Sequence, residues 1–155
     1  MSFAADFATD PARSPNIIRM VIFDHEKLEV YRVAVEYADA ADAIAGNLKR
    51  GNAHIRDQLR RALDSIVNNV AEGAGEFQPA EKMRFYRIAL RSSTESAATL
   101  HTCQRRNIGD LEAIENARKL LKRVVEMLTR LIHSTARRLA PDRDRDRDRD
   151  RDRGG

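Results

Sequence analysis

Residues 55–79 read IRDQLRRALDSIVNNVAEGAGEFQP, and this stretch decides how the chain folds. Its large apolar side chains recur at intervals of three and four residues, at Ile55, Leu59, Leu63, Ile66 and Val70. In an α-helix this spacing places them on one face, and the charged residues between them point away from that face. The stretch therefore predicts an amphipathic helix that packs against a core and ends near its two glycines.

These glycines, Gly73 and Gly75, allow two interpretations: a phosphate-binding loop or a structural helix stop. A phosphate loop usually follows a strand, precedes a helix and carries a Lys or Ser/Thr for the phosphate. Here a helix precedes the glycines, and the acidic Glu72 and Glu76 flank them. We therefore interpret Gly73 as the left-handed residue that closes the helix, Gly75 as an aid to chain reversal, and Pro79 as the start of the next helix.

Three further segments have helical periodicity. The first predicted helix spans residues 24–48, the third begins at Pro79, and the fourth follows Asp110, which is its expected N-cap. Asn107 and Gly109 form the stop between the last two helices. Four long helices with short connections predict an all-α fold, an antiparallel up-down-up-down four-helix bundle.

The bundle is expected over residues 23–140, with one extension at each end. Residues 1–22 contain prolines and small polar residues, and we expect a flexible N-terminal extension. From Asp142 the sequence repeats Asp-Arg six times and then ends in two glycines. The repeat offers nothing to bury, so residues 141–155 are expected to be a disordered tail.

The first helix is apolar around most of its circumference, apart from one narrow polar stripe. A helix in a solitary bundle needs an apolar stripe only a little wider than 100°. The surplus predicts that this helix also packs against a second copy of the chain. The expected oligomer interface consists of Val30, Val33, Tyr37 and Ile44.

Composition restricts the function further. The chain has a formal net charge of +4 and a pI of about 9.6, which suits an anionic partner such as nucleic acid. A single cysteine fits a reducing cytoplasm and excludes an intrachain disulfide. No apolar run approaches the roughly 20 residues that a membrane span needs, so no membrane association is expected.

The candidate nucleic-acid-binding residues are basic side chains at helical spacing on three helices. They are Arg56, Arg60 and Arg61 on the second helix, Arg84, Arg87 and Arg91 on the third, and Lys119, Lys122, Arg123 and Arg130 on the fourth. Such residues can contact phosphates without reading bases. In the alternative interpretation they only flank the core and form ordinary ion pairs, for example between Arg91 and Glu95.

The sequence offers no convincing catalytic, metal or cofactor site. A carboxylate-bridged metal centre in a bundle needs Glu-x-x-His pairs on facing helices, and no Glu here has a His three residues later. Cys103 lies near His101 and two arginines, which could lower the pKa of its thiol. Residues two apart do not share a helix face, however, and no acid is placed to orient the histidine. We therefore expect no enzyme, no cofactor and no metal.

Two segments together carry a resemblance to a known family. Gln58–Gly73, QLRRALDSIVNNVAEG, resembles the signature of the bacterial four helix bundle protein family, and Phe85–Glu95, FYRIALRSSTE, is similar to its third helix. Leu28–Glu36, LEVYRVAVE, resembles the usual opening of its first helix. The best-known members are encoded by intervening sequences within large-subunit ribosomal RNA genes. A related branch is the accessory variability determinant of diversity-generating retroelements.

The resemblance implies a homopentameric ring with a basic surface and no known catalysis. In the retroelement branch such a ring is an adaptor that holds template RNA and reverse transcriptase together, so RNA, DNA and a reverse transcriptase or other nucleic-acid enzyme are implied partners. By position, the family's polar residues correspond to Ser65, Asn69, Glu72 and Glu95, and its basic residues to Arg60, Arg61 and Arg87. Arg91 departs from the family's usual glycine.

Within this framework, Asn69 and Glu72 are interpreted as buried polar groups that fix how the second helix meets the third. Buried polar groups require partners, and arginines 60, 61 and 87 are the expected ones. The predicted function is a non-enzymatic, oligomeric, basic bundle that binds RNA or DNA backbones by electrostatics and could act as an adaptor for a nucleic-acid enzyme. The alternative is a protein-interaction scaffold without nucleic-acid binding.

Overall fold

The structure, a computed structural model, describes residues 23–140. Helix α1 spans Glu29–Asn47, α2 spans Ala53–Gly75, α3 spans Pro79–Arg106 and α4 spans Leu111–Leu139. Short 3-10 helices precede α1 and α2, at Asp24–Lys27 and Arg50–Asn52, and no strand occurs between residues 23 and 140. The all-α prediction with four helices is confirmed. The expectations for residues 1–22 and 141–155 lie outside the described residues.

The first helix begins later than predicted. Residues 24–27 form a separate 3-10 helix, and the extended backbone of Leu28 interrupts the helical path before α1. This 3-10 helix packs against both α1 and α2. Residues 24–28 contain no proline or glycine that would mark a break, which is why the sequence alone did not reveal it.

The four helices pack around one core. Each helix contacts its neighbours in sequence, and α1 also contacts α4, so that the set closes on itself. Ser65 of α2 contacts Ser92 of α3, and Gly73, later in α2, lies against Tyr86, earlier in α3. The contacting residues of α3 therefore have lower numbers as those of α2 have higher ones. The core is mainly aliphatic, and its largest fully buried side chains include Tyr37, Leu59, Ile66, Leu100, Ile114 and Leu128.

The helix boundaries at α3 and α4 follow the predicted chemistry. Pro79 occupies the first turn of α3, and Asn107 ends that helix in the left-handed conformation, with φ 54°. Gly109 follows with φ 84°, a value that glycine adopts without strain. Asp110 then caps α4, because its Oδ1 accepts hydrogen bonds from the backbone N–H of Glu112 at 2.9 Å and of Ala113 at 3.1 Å. These predictions are confirmed.

The interpretation of Gly73 as a left-handed helix stop is wrong. Helix α2 continues through Gly73 to Gly75 and ends at Glu76, whose backbone is extended. Gly73 is buried where α2 crosses α3, and a Cβ atom added there would lie 2.5 Å from Cε1 of Tyr86. The ammonium of Lys82 instead closes the helix end, since it donates to the carbonyl oxygens of Gly73 at 2.8 Å and Ala74 at 3.2 Å.

The predicted oligomer interface on α1 is also wrong. Val30, Val33, Tyr37 and Ile44 are all buried within the single chain. Helix α1 is covered by α2 on one side, by α4 on the other and by the first 3-10 helix, so its wide apolar surface is used inside one subunit. The width of that surface therefore gives no argument for a second copy.

Candidate nucleic-acid interface

The basic residues of α2 mostly bind α1. The half-buried guanidinium of Arg56 donates to the carbonyl oxygens of Ala45 at 3.2 Å and Leu48 at 2.9 Å, and so caps the end of α1. Arg60 donates through Nε to Asp42 at 2.7 Å. Arg61 is exposed and has no side-chain partner among the described residues. Of the three predicted α2 arginines, only Arg61 is available to an external partner without breaking a contact.

The three predicted arginines of α3 lie on one outward face. Arg84, Arg87 and Arg91 are separated by three and four residues, and all are exposed. Arg84 donates to Glu81 at 2.7 Å, and its guanidinium carbon lies 4.6 Å from the centre of the Phe85 ring. Arg87 and Arg91 have no side-chain partner in the described part of the chain. The ion pair predicted between Arg91 and Glu95 does not form.

Arg105 extends this face, although sequence reasoning missed it. It lies fourteen residues, or two heptads, beyond Arg91 and is likewise exposed. That spacing was the signal that could have identified it, because residues two heptads apart lie on nearly the same side of a helix. Between these arginines the exposed residues of α3 are Thr94, Glu95, Ala98 and His101.

Helix α4 places two lysines beside the part of α3 between Arg91 and Arg105. Lys119 and Lys122 line a groove of about 320 Å³ that Ala97 of α3 also borders. The groove has Leu121 and Val125 among its lining residues, so the lysines stand at the rim of an aliphatic surface. Lys122 forms a long, exposed ion pair with Glu126 at 3.8 Å. Exposed ion pairs of this kind contribute little to stability, so Lys122 can readily exchange Glu126 for an external anion.

The other two predicted cations of α4 lie elsewhere. Arg123 points toward α1 and pairs with Glu29 at 3.5 Å. Arg130 lines a different groove of about 610 Å³, between the start of α1 and the second half of α4. Leu28, Met127 and Leu131 give this second groove its apolar lining. The fold thus divides the predicted binding residues among three sides of the molecule.

One surface nevertheless collects the available cations, and we call it the basic band. It consists of Arg84, Arg87, Arg91 and Arg105 on α3 and Lys119 and Lys122 on α4. At 1.5 Å per residue, the band extends about 32 Å along α3. Helix α3 has six basic residues and two acidic ones, so the helix that carries most of the band has a net positive charge.

Helix α1 carries the opposite charge. Its outward residues include Glu29, Glu36, Asp39 and Asp42, with Arg32 as the only base in the helix. Of these, Glu36 and Asp39 have no side-chain partner in residues 23–140. Since α2 and α4 each contact both α1 and α3, the outward faces of α1 and α3 point away from each other. The molecule is therefore electrostatically two-sided.

The arginine partners predicted for Asn69 and Glu72 are wrong, as is the burial of Glu72, but Asn69 does take part in the contact between α2 and α3. The amide of Asn69 donates to the backbone oxygen of Ser65 at 2.7 Å and to its hydroxyl at 3.3 Å. The hydroxyl of Ser65 in turn bonds that of Ser92, across the α2–α3 contact, at 2.8 Å. Glu72 is exposed and has no partner in the described chain, and Glu95 is exposed as well.

Another polar contact, which sequence reasoning missed, lies in the core. The hydroxyl of Tyr37 on α1 hydrogen-bonds that of Ser96 on α3, and both residues are fully buried. Burial raises the pKa of Tyr37 to about 12, and the hydrogen bond with Ser96 opposes part of that rise. Burial also raises the pKa of the Cys103 thiol, so this side chain is held neutral and apart from solvent. No activated nucleophile arises at that position.

Two further observations concern the chemistry of the described residues. Between residues 23 and 140, no helix combines the length and apolarity that crossing a membrane requires. The same residues bring no three His, Cys, Asp or Glu side chains into a metal-binding group.

Comparison with known proteins identifies the family. No curated protein matches the chain. The model of a family described as 23S rRNA-intervening sequence protein matches residues 26–130, which is more than half of the chain and extends from the first 3-10 helix into α4. The resemblance inferred from the second and third helices is confirmed, and the chain belongs to the 23S rRNA-intervening sequence protein family.

Proposed function

We propose that this protein is a non-enzymatic nucleic-acid-binding protein that holds RNA or DNA backbones by electrostatic contact with the basic band. The observation that carries the proposal is the collection of exposed cations from α3 and α4 on one side of the bundle. Arg87 and Arg91 support it most directly, because neither forms an ion pair with an acid of the described chain. Arg84, Lys119 and Lys122 add charge on the same side.

The distribution of charge determines which side of the molecule attracts a nucleic acid. Phosphate contacts by Arg and Lys release counterions from the nucleic acid, and this release supplies most of the affinity in sequence-independent binding. The acidic outward face of α1 repels the same backbone. A nucleic acid that approaches this molecule is therefore attracted to the α3–α4 side and repelled by the outward face of α1.

The proposal includes assembly. We propose that the bundle has antiparallel up-down-up-down topology and forms a homo-oligomer, a pentamer by the family resemblance. An interface at the apolar groove between α1 and α4, lined by Leu28, Met127 and Leu131, would leave the basic band uncovered. Repetition of the band around a ring would multiply a modest positive patch, and the ring could then serve as an adaptor for a nucleic-acid enzyme.

The test is a salt titration of binding to a labelled RNA, with the wild-type chain and the double variant Arg87→Gln/Arg91→Gln. Log affinity should fall linearly with log salt between about 50 and 200 mM. The double variant should bind about tenfold more weakly at the lower salt, with a slope smaller by about 2, because two phosphate contacts are lost.

The matched control is Arg32→Gln, which removes an exposed arginine from the acidic side of α1. Its affinity should stay within about twofold of the wild type, since Arg32 lies far from the basic band. Absence of binding at low salt would refute the proposed function. Equal losses in the control and the double variant would show that net charge, rather than the band, governs binding.

A second candidate function is a protein-interaction scaffold that does not bind nucleic acid. The opposed charges of α1 and α3 favour it, because the acidic face of one copy could pair with the basic band of the next. Such a head-to-tail contact forms rings or filaments and would occupy the cations. The double variant Glu36→Lys/Asp39→Lys separates the candidates: it should abolish assembly in the scaffold and leave it intact in the nucleic-acid binder.

A further inference from the structure

The two exposed phenylalanines of the described chain lie outside α3 and α4, the helices that carry the basic band. Phe77, in the connection between α2 and α3, is 95% exposed, and Phe23, before the first 3-10 helix, is 60% exposed. The Phe23 ring stacks on His25, with ring centres 5.8 Å apart. His25 in turn lines a hollow with Glu72 and Glu76 at the end of α2.

A carboxylate lies beside the backbone of each of these two phenylalanines. Glu26 accepts the backbone N–H of Phe23 at 2.6 Å, and Glu76 accepts that of Gln78, the residue after Phe77, at 2.8 Å. Glu72 on the neighbouring hollow has no partner in the described residues. A nucleic acid strand that stacked its bases on Phe23 or Phe77 would have to bring its phosphates close to this negative charge.

The basic band, by contrast, offers almost no ring surface. Helix α4 contains no Phe, Tyr or Trp, and α3 contains only Phe85 and Tyr86. Tyr86 is buried, and the half-buried Phe85 has the guanidinium of Arg84 over its ring. His101 is exposed on α3, but one imidazole cannot stack a run of successive bases. The groove that the lysines line has aliphatic and charged side chains and no aromatic one.

From this separation we infer that the ligand of the basic band is a double-stranded nucleic acid, bound through its phosphates with its bases left paired. This inference rests on the proposed function and specifies its ligand. Proteins that bind single strands combine a positive groove with aromatic rings on which bases stack. A band without rings gains nothing from unpaired bases, whereas a duplex presents phosphates more densely, about one charge per 1.7 Å of axis in DNA.

The dimensions of the band agree with a duplex. Its length of about 32 Å is close to one turn of a double helix, roughly 34 to 36 Å in DNA. A rigid rod laid along α3 can meet Arg84, Arg91 and Arg105 without bending, and the two lysines of α4 lie beside the middle of that path. A flexible strand would have to give up conformational freedom to follow the same straight line.

The experiment compares two ligands that carry equal numbers of phosphates. An RNA duplex of about 16 base pairs and a poly(U) strand of matched phosphate number are titrated with the full chain at the same salt. The duplex should bind at least about tenfold tighter, with a salt slope near −5 if all six cations of the band contact phosphates. Arg87→Gln/Arg91→Gln should weaken duplex binding, and Arg32→Gln should not.

Phe77→Ala provides the complementary variant, because its side chain is almost fully exposed and its loss does not threaten the fold. Binding of both ligands should remain within about twofold of the wild type. Poly(U) that binds as tightly as the duplex would overturn the inference and leave the proposed function intact. A loss of poly(U) affinity of about tenfold in Phe77→Ala would also overturn it. Absence of binding to either ligand would refute the proposed function itself.

Discussion

The role of Gly73 follows from the side chain of α3 that lies opposite it. Within a helix, glycine is normally less favourable than alanine by about 1 kcal/mol, so its presence needs a reason. The reason is the ring of Tyr86, which is only 2% exposed and cannot move aside. A Cβ atom at Gly73 would lie 2.5 Å from Cε1 and 2.7 Å from Cδ1 of that ring.

Gly73→Ala is therefore expected to destabilise the fold by about 1 to 3 kcal/mol, because overpacking outweighs the gain in helix propensity. Gly75→Ala is the matched control, since nothing lies within 4 Å of a Cβ atom added there. The control should be neutral or slightly stabilising. Urea denaturation measures both changes. Equal free energies of unfolding for the two variants would contradict this role of Gly73.

Tyr37 and Ser96 form a polar pair inside an otherwise aliphatic core. Tyr37→Phe leaves the buried Ser96 hydroxyl without this partner and should cost about 1 to 2 kcal/mol at neutral pH. Because burial raises the pKa of Tyr37 from 10.0 to about 12, the folded state favours the neutral phenol. The resulting contribution to stability is present below pH 10 and is lost as pH rises toward the folded-state value.

The stability difference between wild type and Tyr37→Phe should accordingly shrink between about pH 10 and 12, because the variant lacks the ionising group. Thermal unfolding of both proteins across that range measures it. The pKa of Tyr86 is also raised by burial, but this residue is common to both proteins, so the comparison isolates Tyr37. A pH-independent difference would show that Tyr37 does not titrate in the manner described.

At the scale of single elements, side chains close three of the helix ends, in two ways. Asp110 caps α4 with its own side chain, Lys82 reaches back from α3 to close α2, and Arg56 reaches back from α2 to close α1. The last two tie consecutive helices together. Asn52 stands at the start of α2 but makes no side-chain hydrogen bond to that helix.

Mutation can test this difference between the N-caps of α2 and α4. Asp110→Ala removes two hydrogen bonds to the first turn of α4 and should cost about 1 kcal/mol. Asn52→Ala removes none and should change stability by less than about 0.5 kcal/mol. Chemical denaturation of the two variants gives both values. Similar costs would mean that the cap on α4 contributes no more than an ordinary surface residue.

At the scale of the whole molecule, the arrangement of the helices decides how charge is presented. Helices α1 and α3 carry opposite charge and their outward faces point away from each other, with α2 and α4 between them. The modest formal charge of +4 therefore conceals a much stronger local contrast. Approach to an anionic partner and contact between copies both depend on this contrast rather than on the net value.

The proposed assembly makes a prediction that light scattering can check. An oligomer held by the apolar groove between α1 and α4 should retain its mass as salt rises, because burial of apolar surface is not screened. Glu36→Lys/Asp39→Lys should leave that mass unchanged. Dissociation with rising salt would instead indicate contacts between α1 and α3. A mass of 17.6 kDa at micromolar concentration and low salt would refute assembly altogether.

The sequence by itself determined the features that are encoded locally. The apolar periodicity of α2, the cap at Asp110, the position of Pro79 and the stop at Asn107 and Gly109 were all predicted. Each depends on residues within one or two turns of each other, whose chemistry acts through the neighbouring backbone. For the same reason, the outward position of Arg84, Arg87 and Arg91 on a common helix face followed from their spacing.

Only the tertiary structure decided what those faces meet. Periodicity showed that α1 is broadly apolar, but it could not show that α2, α4 and the 3-10 helix cover that surface within one chain. The role of Gly73 depends on the Tyr86 ring across a helix crossing, and Tyr37 meets a serine 59 residues away in sequence. Such contacts arise from the relative placement of whole helices. The packing of many side chains together sets this placement, and no local pattern encodes it.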